Sequence, residues 1–453
     1  MSWQWWQKNK KEPSPVNMET KGPEFKVVVA DFYDNISSLG AINLAKALNN
    51  CEGLAASSYT QSFDHSFLNL ENRNIFELIE TGNAILSETK SDVLVWGYRE
   101  KQRLRLNFQN LKQYSGGDNS FVSVMDSFYL PASFLDDEEG VMPAELILLL
   151  YGAVVSTINN PSRQYRIYKK YLLKKITHRL SQIDSASSLG LEYLPYVLNF
   201  LGIIYLSMAY DSKYDTDFKI VRDLFENALK YQDKIINSTY IGCIHYHLGQ
   251  LFDCATKYME NRPSSYYRGA IRHYQTAQKH LSKYAYPYDY GYVCCKLSDL
   301  YVNYWKQTED LQALRDAVFQ LREAEKIYTQ ALFPDFWGMI EERLGYLLHN
   351  LGFLTDSAEL SNMAIIAYQN RQKIVTEKND PLLWAEIQEK IGSIHYQIGR
   401  NKSDVSTLEE ALSCFHDALY IYENNGASAK IKQIKFDISK TYRLIEELKE
   451  IPD

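Results

Sequence analysis

The sequence lacks any apolar run long enough to cross a membrane. Of its 453 residues, 45% are hydrophobic, but a spanning helix needs about 20 consecutive apolar residues. The nearest candidate, 144–158, is shorter and carries Glu145, so it predicts a packed helix. The first sixteen residues have no continuous apolar core of the kind found in secretory signals. We therefore expect a cytoplasmic protein.

The sequence also lacks the short motifs that carry most nucleotide, metal and hydrolase chemistry. GxxxxGK[ST], GxGxxG after a strand, HExxH and GxSxG are all absent. His245 and His247 are two residues apart and so lie on different faces of a helix, which argues against a shared metal. We expect a non-enzymatic protein with no catalytic residues, no cofactor and no metal site.

A basic excess and paired cysteines are missing as well. Lys and Arg number 49 against 56 Asp and Glu, which gives a formal net charge of −7, whereas nucleic-acid phosphates are bound by basic patches. A nucleic-acid partner is therefore not expected. The six cysteines have no CxxC spacing, and we interpret them as reduced thiols of a cytosolic protein.

What the sequence does have is an internal repeat. Five times an apolar residue is followed by a small one, and the small residues are 47, 49, 47 and 47 positions apart. These pairs are Leu201-Gly202, Leu248-Gly249, Leu297-Ser298, Leu344-Gly345 and Ile391-Gly392. We interpret each pair as the centre of a first helix, because a small residue lets a second helix approach closely.

A second pattern follows each of these pairs after about twenty residues, with apolar residues recurring four and seven positions on. The five sets are Val221/Phe225/Ala228, Ala270/Tyr274/Ala277, Ala317/Leu321/Ala324, Ala364/Tyr368/Arg371 and Ala411/Phe415/Ala418. The Ala of the second helix and the aromatic residue one turn later should fill the space between the two helices. Such a unit cannot bury its apolar face alone, so we expect a mostly α protein with about five stacked helix pairs.

These residues resemble the tetratricopeptide repeat (TPR) family. The resemblance rests on the small residue, the aromatic residue three positions later (Tyr205, Phe252, Tyr301) and the second-helix pattern, and it is closest over 380–392. It covers about residues 190–424. The usual period of the family is 34 and here it is about 47, which we interpret as longer helices and connections; Ser298 and Arg371 depart from the pattern. The resemblance implies an α-solenoid that recognises a protein partner.

Residues 25–135 have a different pattern. A β-rich run at 25–30 precedes helical spacing at 39–48 and again near 74–90. A strand at 92–98, a turn at 99–102 and an alternating return strand at 103–108 follow, with another strand expected at 121–130. The order strand, helix, strand, helix and hairpin predicts a small α/β domain.

This segment resembles the amino-terminal domain of the TolB-like family, which precedes tetratricopeptide arrays in some bacterial regulators. The resemblance rests on 27–32 and 92–97. It implies an interaction or sensory module rather than a catalyst. The export signal of the periplasmic TolB protein is missing here, so a role in the cell envelope is not implied.

The remaining segments complete the expected organisation. Residues 1–24 should form a flexible tail, 136–189 an acidic linker with two connecting helices, and 425–453 a capping helix after the TPR-like solenoid of 190–424. The tail carries Trp3, Trp5 and Trp6 beside lysines. A weak contact with a membrane surface is one interpretation of these tryptophans, and a terminal arm that packs on its own domain or stays disordered is the other.

A candidate binding surface follows from the TPR resemblance, because first helices line the concave groove of such arrays. Its outward positions are taken as six and three residues before each small residue and one and four after it. Tyrosine occurs there once per unit, with five acids and no Lys or Arg: Tyr196, Tyr246, Asp253, Tyr292, Asp299, Glu342, Tyr346, Glu386, Glu389 and Tyr396. We expect these residues to bind a basic peptide or protein segment. The alternative is that several of the tyrosines pack between neighbouring repeats.

Two functions remain open at this stage. The first is a non-enzymatic adaptor or scaffold that holds a protein partner in the solenoid groove. The second is a ligand-sensing regulator, in which the α/β domain binds a small molecule and the repeats transmit the state. The sequence does not identify the partner or the oligomeric state.

Overall fold

The computed structural model describes residues 22–32, 39–62, 75–100, 103–110, 127–131, 142–158, 162–182, 191–209, 215–235, 237–258, 264–284 and 286–449. They form a mostly helical protein with a small mixed sheet near the amino terminus. The chain divides into two compact units, residues 1–293 (the first unit) and 294–453 (the second unit). Trp3, Trp5 and Trp6, residues 121–126 of an expected strand and the acidic run 136–139 lie outside the described residues.

The sheet of the first unit has five strands in the order β2-β1-β3-β4-β5. They are β1 (Phe25–Asp31), β2 (Leu54–Ser62), β3 (Val93–Glu100), β4 (Arg103–Asn110) and β5 (Phe128–Pro131). β1 is parallel to β2 and β3, whereas β3, β4 and β5 pair antiparallel. The strands expected at 25–30, 92–98 and 103–108 are confirmed. No residues were assigned to β2 from the sequence, because its Ala and Ser residues carry a weak strand signal.

Helices cover both faces of this sheet. Helix α1 (Leu39–Asn49) and helix α2 (Ile75–Thr89) follow β1 and β2, and Ile85 and Leu86 of α2 pack on Leu94 and Trp96. Helices α3 (Ala144–Thr157) and α4 (Arg163–Gln182) confirm the two helices expected before the repeats. On the opposite face of the sheet, the ring of Phe128 lies 4.2 Å from that of Phe200 in the next helix.

The rest of the chain consists of helix pairs. The first helices are α5 (Leu194–Ala209), α7 (Ser238–Tyr258), α9 (Pro287–Thr308), α11 (Pro334–Leu354) and α13 (Pro381–Lys402). The second helices are α6 (Asp215–Lys230), α8 (Ser264–His280), α10 (Leu311–Glu325), α12 (Ala358–Gln372) and α14 (Val405–Asn424). Every small residue of the repeat lies in a first helix and every second-helix set lies in a second helix, as predicted.

The packing predicted within these pairs is confirmed for the four that contain glycine. A Cβ atom built on the glycine would lie under 3.0 Å from an aromatic ring of the partner helix. The distances are 2.3 Å for Gly202 and Phe225, 2.8 Å for Gly249 and Tyr274, 2.9 Å for Gly345 and Tyr368, and 2.7 Å for Gly392 and Phe415. The glycine is therefore required by close approach, since any side chain would displace the ring.

Helix boundaries in the second unit follow the same period. Asp310, Ser357 and Asp404 are 47 residues apart, and the side chain of each accepts a hydrogen bond from a backbone N–H in the first turn of α10, α12 or α14. The residue before each cap has a positive φ, at 57° for Glu309, 50° for Asp356 and 54° for Ser403. The left-handed residue ends one helix and the cap begins the next, so each helix pair turns at the same place.

The last described helix, α15 (Ser428–Lys449), lies within 425–453, where a helix was expected. Ile434, Ile438 and Ile445 pack into the apolar cluster of the preceding pair, together with Leu412 and Phe415 of α14. The opposite face of α15 is exposed and includes Phe436. One side of the helix therefore closes a core and the other meets solvent.

Candidate functional site

The five predicted tyrosines do not occupy equivalent positions on their helices. Tyr196 and Tyr292 lie six residues before the small residue and Tyr246 lies three before it, whereas Tyr346 and Tyr396 lie one and four after it. These positions share one broad face of the first helix but span ten residues, about 15 Å along its axis, so the tyrosines meet different neighbours. The structure accordingly gives the tyrosines different environments.

In the first unit two of these tyrosines are buried. Tyr196 is 1% exposed; its hydroxyl accepts a hydrogen bond from Arg103 Nη1 at 2.6 Å, and its ring lies 4.6 Å from that of Tyr240. Tyr246 is 5% exposed, with its ring 5.6 Å from that of Tyr274 in the partner helix. Tyr196 agrees with the alternative of packing between neighbouring repeats, since Tyr240 belongs to the next helix pair, whereas Tyr246 packs on the second helix of its own pair. A partner has no access to either ring in this arrangement.

The other two predicted residues of the first unit are only partly buried. Tyr292 lies 6.2 Å from Tyr246, measured between ring centroids. Asp253 pairs with Lys257 one turn further along the same helix, at 3.1 Å. This part of the predicted surface is therefore small and carries an internally paired acid.

In the second unit the tyrosines are more accessible and lie beside cations. Tyr346 is 41% exposed, and the ammonium group of Lys306 lies 5.7 Å from its ring centroid. Tyr396 is partly buried, with the ammonium group of Lys440 at 4.5 Å. Both distances are within the range of cation–π attraction. These rings therefore already present a face to a positive charge.

The predicted acids of the second unit pair with cations that follow them in the chain. Arg343 donates a hydrogen bond to Asp299, Lys390 lies 2.9 Å from Glu342, and Lys430 lies 3.4 Å from Glu386 and 3.2 Å from Glu389. Each acid belongs to one first helix, and its cation belongs to the next first helix or to α15. We call this set of ion pairs the inter-repeat ladder.

The predicted site omitted the cations of this ladder because none of them lies at a sampled position. Arg343 and Lys390 each follow a sampled acid directly and are 47 residues apart, which is the period of the repeat. That spacing was the available signal. The surface therefore carries both positive and negative charges. Asp299 and Glu386 are exposed. Glu389 is more buried and also accepts a hydrogen bond from Tyr422 at 2.7 Å.

Several histidines come close to other polar groups. His245 and His273 face each other with their Nδ1 atoms 3.0 Å apart, whereas His247 Nδ1 lies 3.0 Å from Asn199 Oδ1, so His245 and His247 contact different partners. His395 Nδ1 lies 3.0 Å from a carboxylate oxygen of Glu410. Within the described ranges, no group of three or more His, Cys, Asp or Glu side chains is arranged to hold a metal ion.

A second polar cluster lies in the first unit and has no counterpart among the predicted site residues. β4 carries Arg103, Arg105, Asn107 and Gln109 on one face, alternating with Leu104, Leu106 and Phe108. The alternation resembles a strand with one face in water, but both faces are largely buried. Around Arg103 and Arg105 this polar face is covered by tyrosines from β3, β5 and more distant segments. We call the two arginines and these tyrosines the arginine–tyrosine cluster: Tyr98, Tyr129, Tyr193, Tyr196, Tyr240 and Tyr286.

Comparison with protein-family models and with curated proteins finds no match for this sequence. Among the helices that the structure describes, none has the length and apolar character required to span a bilayer. All six cysteines are free thiols.

Proposed function

We propose that this protein is a non-enzymatic scaffold, a TPR-like α-solenoid that binds a basic peptide or protein segment on the first helices of its second unit. The observation that carries the proposal is the exposed ring of Tyr346, which lies beside Lys306 of the preceding first helix. Arg343, three residues before Tyr346 on the same helix, pairs with Asp299. The chain's own cations occupy positions that a partner's Arg or Lys side chains would take. Phe353, seven residues after Tyr346 and 62% exposed, adds apolar area on the same helix.

The inter-repeat ladder does not prevent such binding. Exposed ion pairs contribute only about 0.2 to 1 kcal/mol each, so a partner's guanidinium can replace Arg343 on Asp299 at small cost. Asp299 and Glu386 are the acids best placed for this exchange, because both side chains are exposed. Tyrosine suits the role of anchor, since it offers a large apolar ring with a polar tip.

Three further features belong to the same proposal. An amino-terminal domain of the TolB-like type would supply a second contact, as in bacterial regulators of that kind. The free thiols fit a reducing compartment, so we extend the proposal to a cytoplasmic location. Nucleic acid is not among the proposed partners.

The proposal is tested by surface-plasmon kinetics with the full chain and immobilised Arg- and Lys-rich peptides, alongside acidic peptides of equal length. Tyr346→Ala should speed dissociation of a basic peptide about tenfold, which corresponds to about 1.4 kcal/mol. Asp299→Asn should slow association and reduce its dependence on salt, because exposed charges act mainly on encounter. Tyr420→Ala is the matched control, since Tyr420 is an exposed tyrosine on a second helix. Equal binding of basic and acidic peptides, or equal loss in all three variants, would reject the groove.

A second candidate function is the ligand-sensing regulator, in which the α/β domain binds a small molecule. The observation that favours it is the arginine–tyrosine cluster, where a buried cation has only neutral partners among the described residues. Binding there would occur next to helices of the repeat region, since Tyr196 and Tyr240 belong to α5 and α7.

A further inference from the structure

Arg105 is a buried cation whose hydrogen-bond partners among the described residues are all neutral groups of the first unit. It is 8% exposed. Nε and Nη2 both donate to Ser127 Oγ, at 3.0 and 2.8 Å, and Nη1 donates to the hydroxyl of Tyr98 at 2.7 Å. The hydroxyl of Tyr286 also accepts a hydrogen bond from the guanidinium. Among the described residues, no carboxylate forms an ion pair with Arg105.

This arrangement leaves a charge uncompensated. Burial of an ionised group away from a counter-charge costs several kcal/mol, and buried arginines are normally paired with carboxylate or phosphate. Hydroxyl dipoles and the rings of Tyr98 and Tyr129, 5.5 and 5.9 Å from the guanidinium carbon, reduce this cost. They do not neutralise the charge.

The hydrogen-bond geometry around Arg105 is also incomplete. Two donors of the guanidinium fork converge on the single oxygen of Ser127, although the fork matches the two oxygens of a carboxylate or phosphate. Ser127 in turn donates to Asn107 Oδ1 at 2.8 Å. Asn107 is 2% exposed, and its Nδ2 has no hydrogen-bond partner. A buried donor without an acceptor therefore lies beside a buried cation without an anion.

Arg103, two residues earlier on the same face of β4, adds a second positive charge. Its Nη1 donates to the hydroxyl of Tyr196, and its guanidinium carbon lies 5.4 Å from the ring centroid of Tyr193. Arg103 is less buried than Arg105. The two arginines therefore create a positive potential that continues from the partly exposed end of β4 into the cluster.

We propose that Arg105, Asn107, Ser127 and Tyr98 form a binding site for a phosphoryl oxyanion, either free phosphate or a small phosphate ester. Two oxygens of the anion accept hydrogen bonds from the guanidinium fork of Arg105, and the anion also accepts one from Asn107 Nδ2. The hydroxyls of Ser127 and Tyr98 rotate so that they donate to the anion. One ligand thus supplies both the missing negative charge and the missing acceptor. The site itself is independent of the scaffold proposal, and only its use as a signal rests on the regulator proposal.

The test is titration calorimetry and phosphorus NMR of the full chain with inorganic phosphate and with glycerol 3-phosphate, in chloride buffer at constant ionic strength. We expect saturable binding of at least one of the two, with one site per chain. Binding of phosphate alone identifies free phosphate as the ligand, and binding of the ester identifies a phosphorylated metabolite. Arg105→Lys removes the fork and should weaken binding about tenfold or more.

Asn107→Asp provides the sharper variant because it supplies an internal carboxylate next to Arg105. It should abolish anion binding while raising the melting temperature in the absence of phosphate. Arg268→Gln removes an exposed positive charge from α8 in the same unit and is the matched control; it should bind like the parent. No saturable binding to the parent chain, or equal affinity in the parent and in Asn107→Asp, would overturn the site.

The regulatory use is tested separately, by measuring the affinity for a basic peptide with and without saturating phosphate. An affinity that does not change would reject the regulator and leave the anion site standing. A change that disappears in Asn107→Asp would support both.

Discussion

The first unit, residues 1–293, buries Tyr196 and Tyr246 among other aromatic rings, whereas the second unit, residues 294–453, leaves Tyr346 exposed beside Lys306. The acids differ in a similar way. Asp253 of the first unit pairs within its own helix, but Asp299 and Glu342 pair with the next first helix. The same repeat therefore yields a packed aromatic interior in one unit and a charged, accessible surface in the other.

Burial shifts the pKa values of His245 and His247 in the first unit and of Glu341 in the second unit in opposite directions. In the first unit burial lowers the pKa of His247 to about 3, and burial together with neighbouring cationic groups lowers the pKa of His245 to about 4. In the second unit burial and a hydrogen bond with Glu325 raise the pKa of Glu341 to about 7. A buried neutral base makes the folded protein less stable in acid, and a buried neutral acid makes it less stable in alkali.

The largest expected effect comes from Gly345→Leu and Gly249→Leu, which disrupt the same contact in the two units. A Cβ at either position already lies under 3.0 Å from the partner tyrosine, and overpacking costs about 1 to 3 kcal/mol. We expect the upper end of that range in both units, measured by denaturant unfolding. Ser413→Leu, at an exposed position of α14, is the control. An unchanged denaturant midpoint of unfolding in either glycine variant would mean that the two helices do not pack at that glycine.

Glu341→Gln should stabilise the second unit at alkaline pH. Glu341 is fully buried, and Asn370 Nδ2 donates to its Oε2 at 3.0 Å while Oε1 has no hydrogen-bond partner. Since its folded pKa is above the unfolded value of 4.5, the wild type is relatively more stable below pH 4.5 and loses stability as pH rises through about 7. The pKa shift corresponds to roughly 3 kcal/mol. We expect Glu341→Gln to raise the free energy of unfolding at pH 8 by about 2 kcal/mol, measured by hydrogen exchange or thermal melting.

The same substitution at Glu446, an exposed residue of α15, provides the control for Glu341→Gln and should leave the pH dependence unchanged. If Glu341→Gln retains the full loss of stability between pH 5 and pH 8, the buried carboxyl is not its source.

His247→Gln should make the first unit less sensitive to acid. The folded pKa of His247 is below the unfolded value of 6.5 because the ring is buried, so its contribution is present above pH 6.5 and is lost as pH falls. Between pH 6.5 and pH 5 we expect His247 to lower the free energy of unfolding of the parent by about 1.5 kcal/mol. Glutamine does not titrate and can still donate to Asn199 Oδ1. Melting curves at the two pH values measure the difference, with exposed His178→Gln as the control; parallel curves for His247→Gln and the parent would contradict it.

The smallest effect belongs to the inter-repeat ladder. A double-mutant cycle on Glu342 and Lys390 should give a coupling of about 0.5 kcal/mol that declines with salt, because both side chains are partly exposed. Asp253 and Lys257, a pair within one helix, should couple by about 0.3 to 0.5 kcal/mol. A coupling near zero for Glu342 and Lys390 would show that the ladder does not link successive repeats. A coupling of about 2 kcal/mol or more would show a desolvated pair instead.

The elements of the fold were largely predictable because they depend on local pattern. Alternation at 103–108 and helical spacing at 39–48 are properties of short segments, and both gave the correct element. β2 was missed because its alanines and serines have little strand preference of their own. Its place depends on parallel pairing with β1, which is a contact between distant segments.

The sequence by itself determined the period of the helix pairs and, in four of the five pairs, the glycine beside an aromatic residue. These features follow from backbone geometry and side-chain volume within one unit of about 47 residues. Only the tertiary structure decided which charged and aromatic side chains face solvent. Tyr196 is covered by Tyr129 and Tyr240, and Arg105 is enclosed by residues up to Tyr286, because elements far apart in the chain meet there. Accessibility depends on what packs against a residue from elsewhere, and no local pattern carries that information.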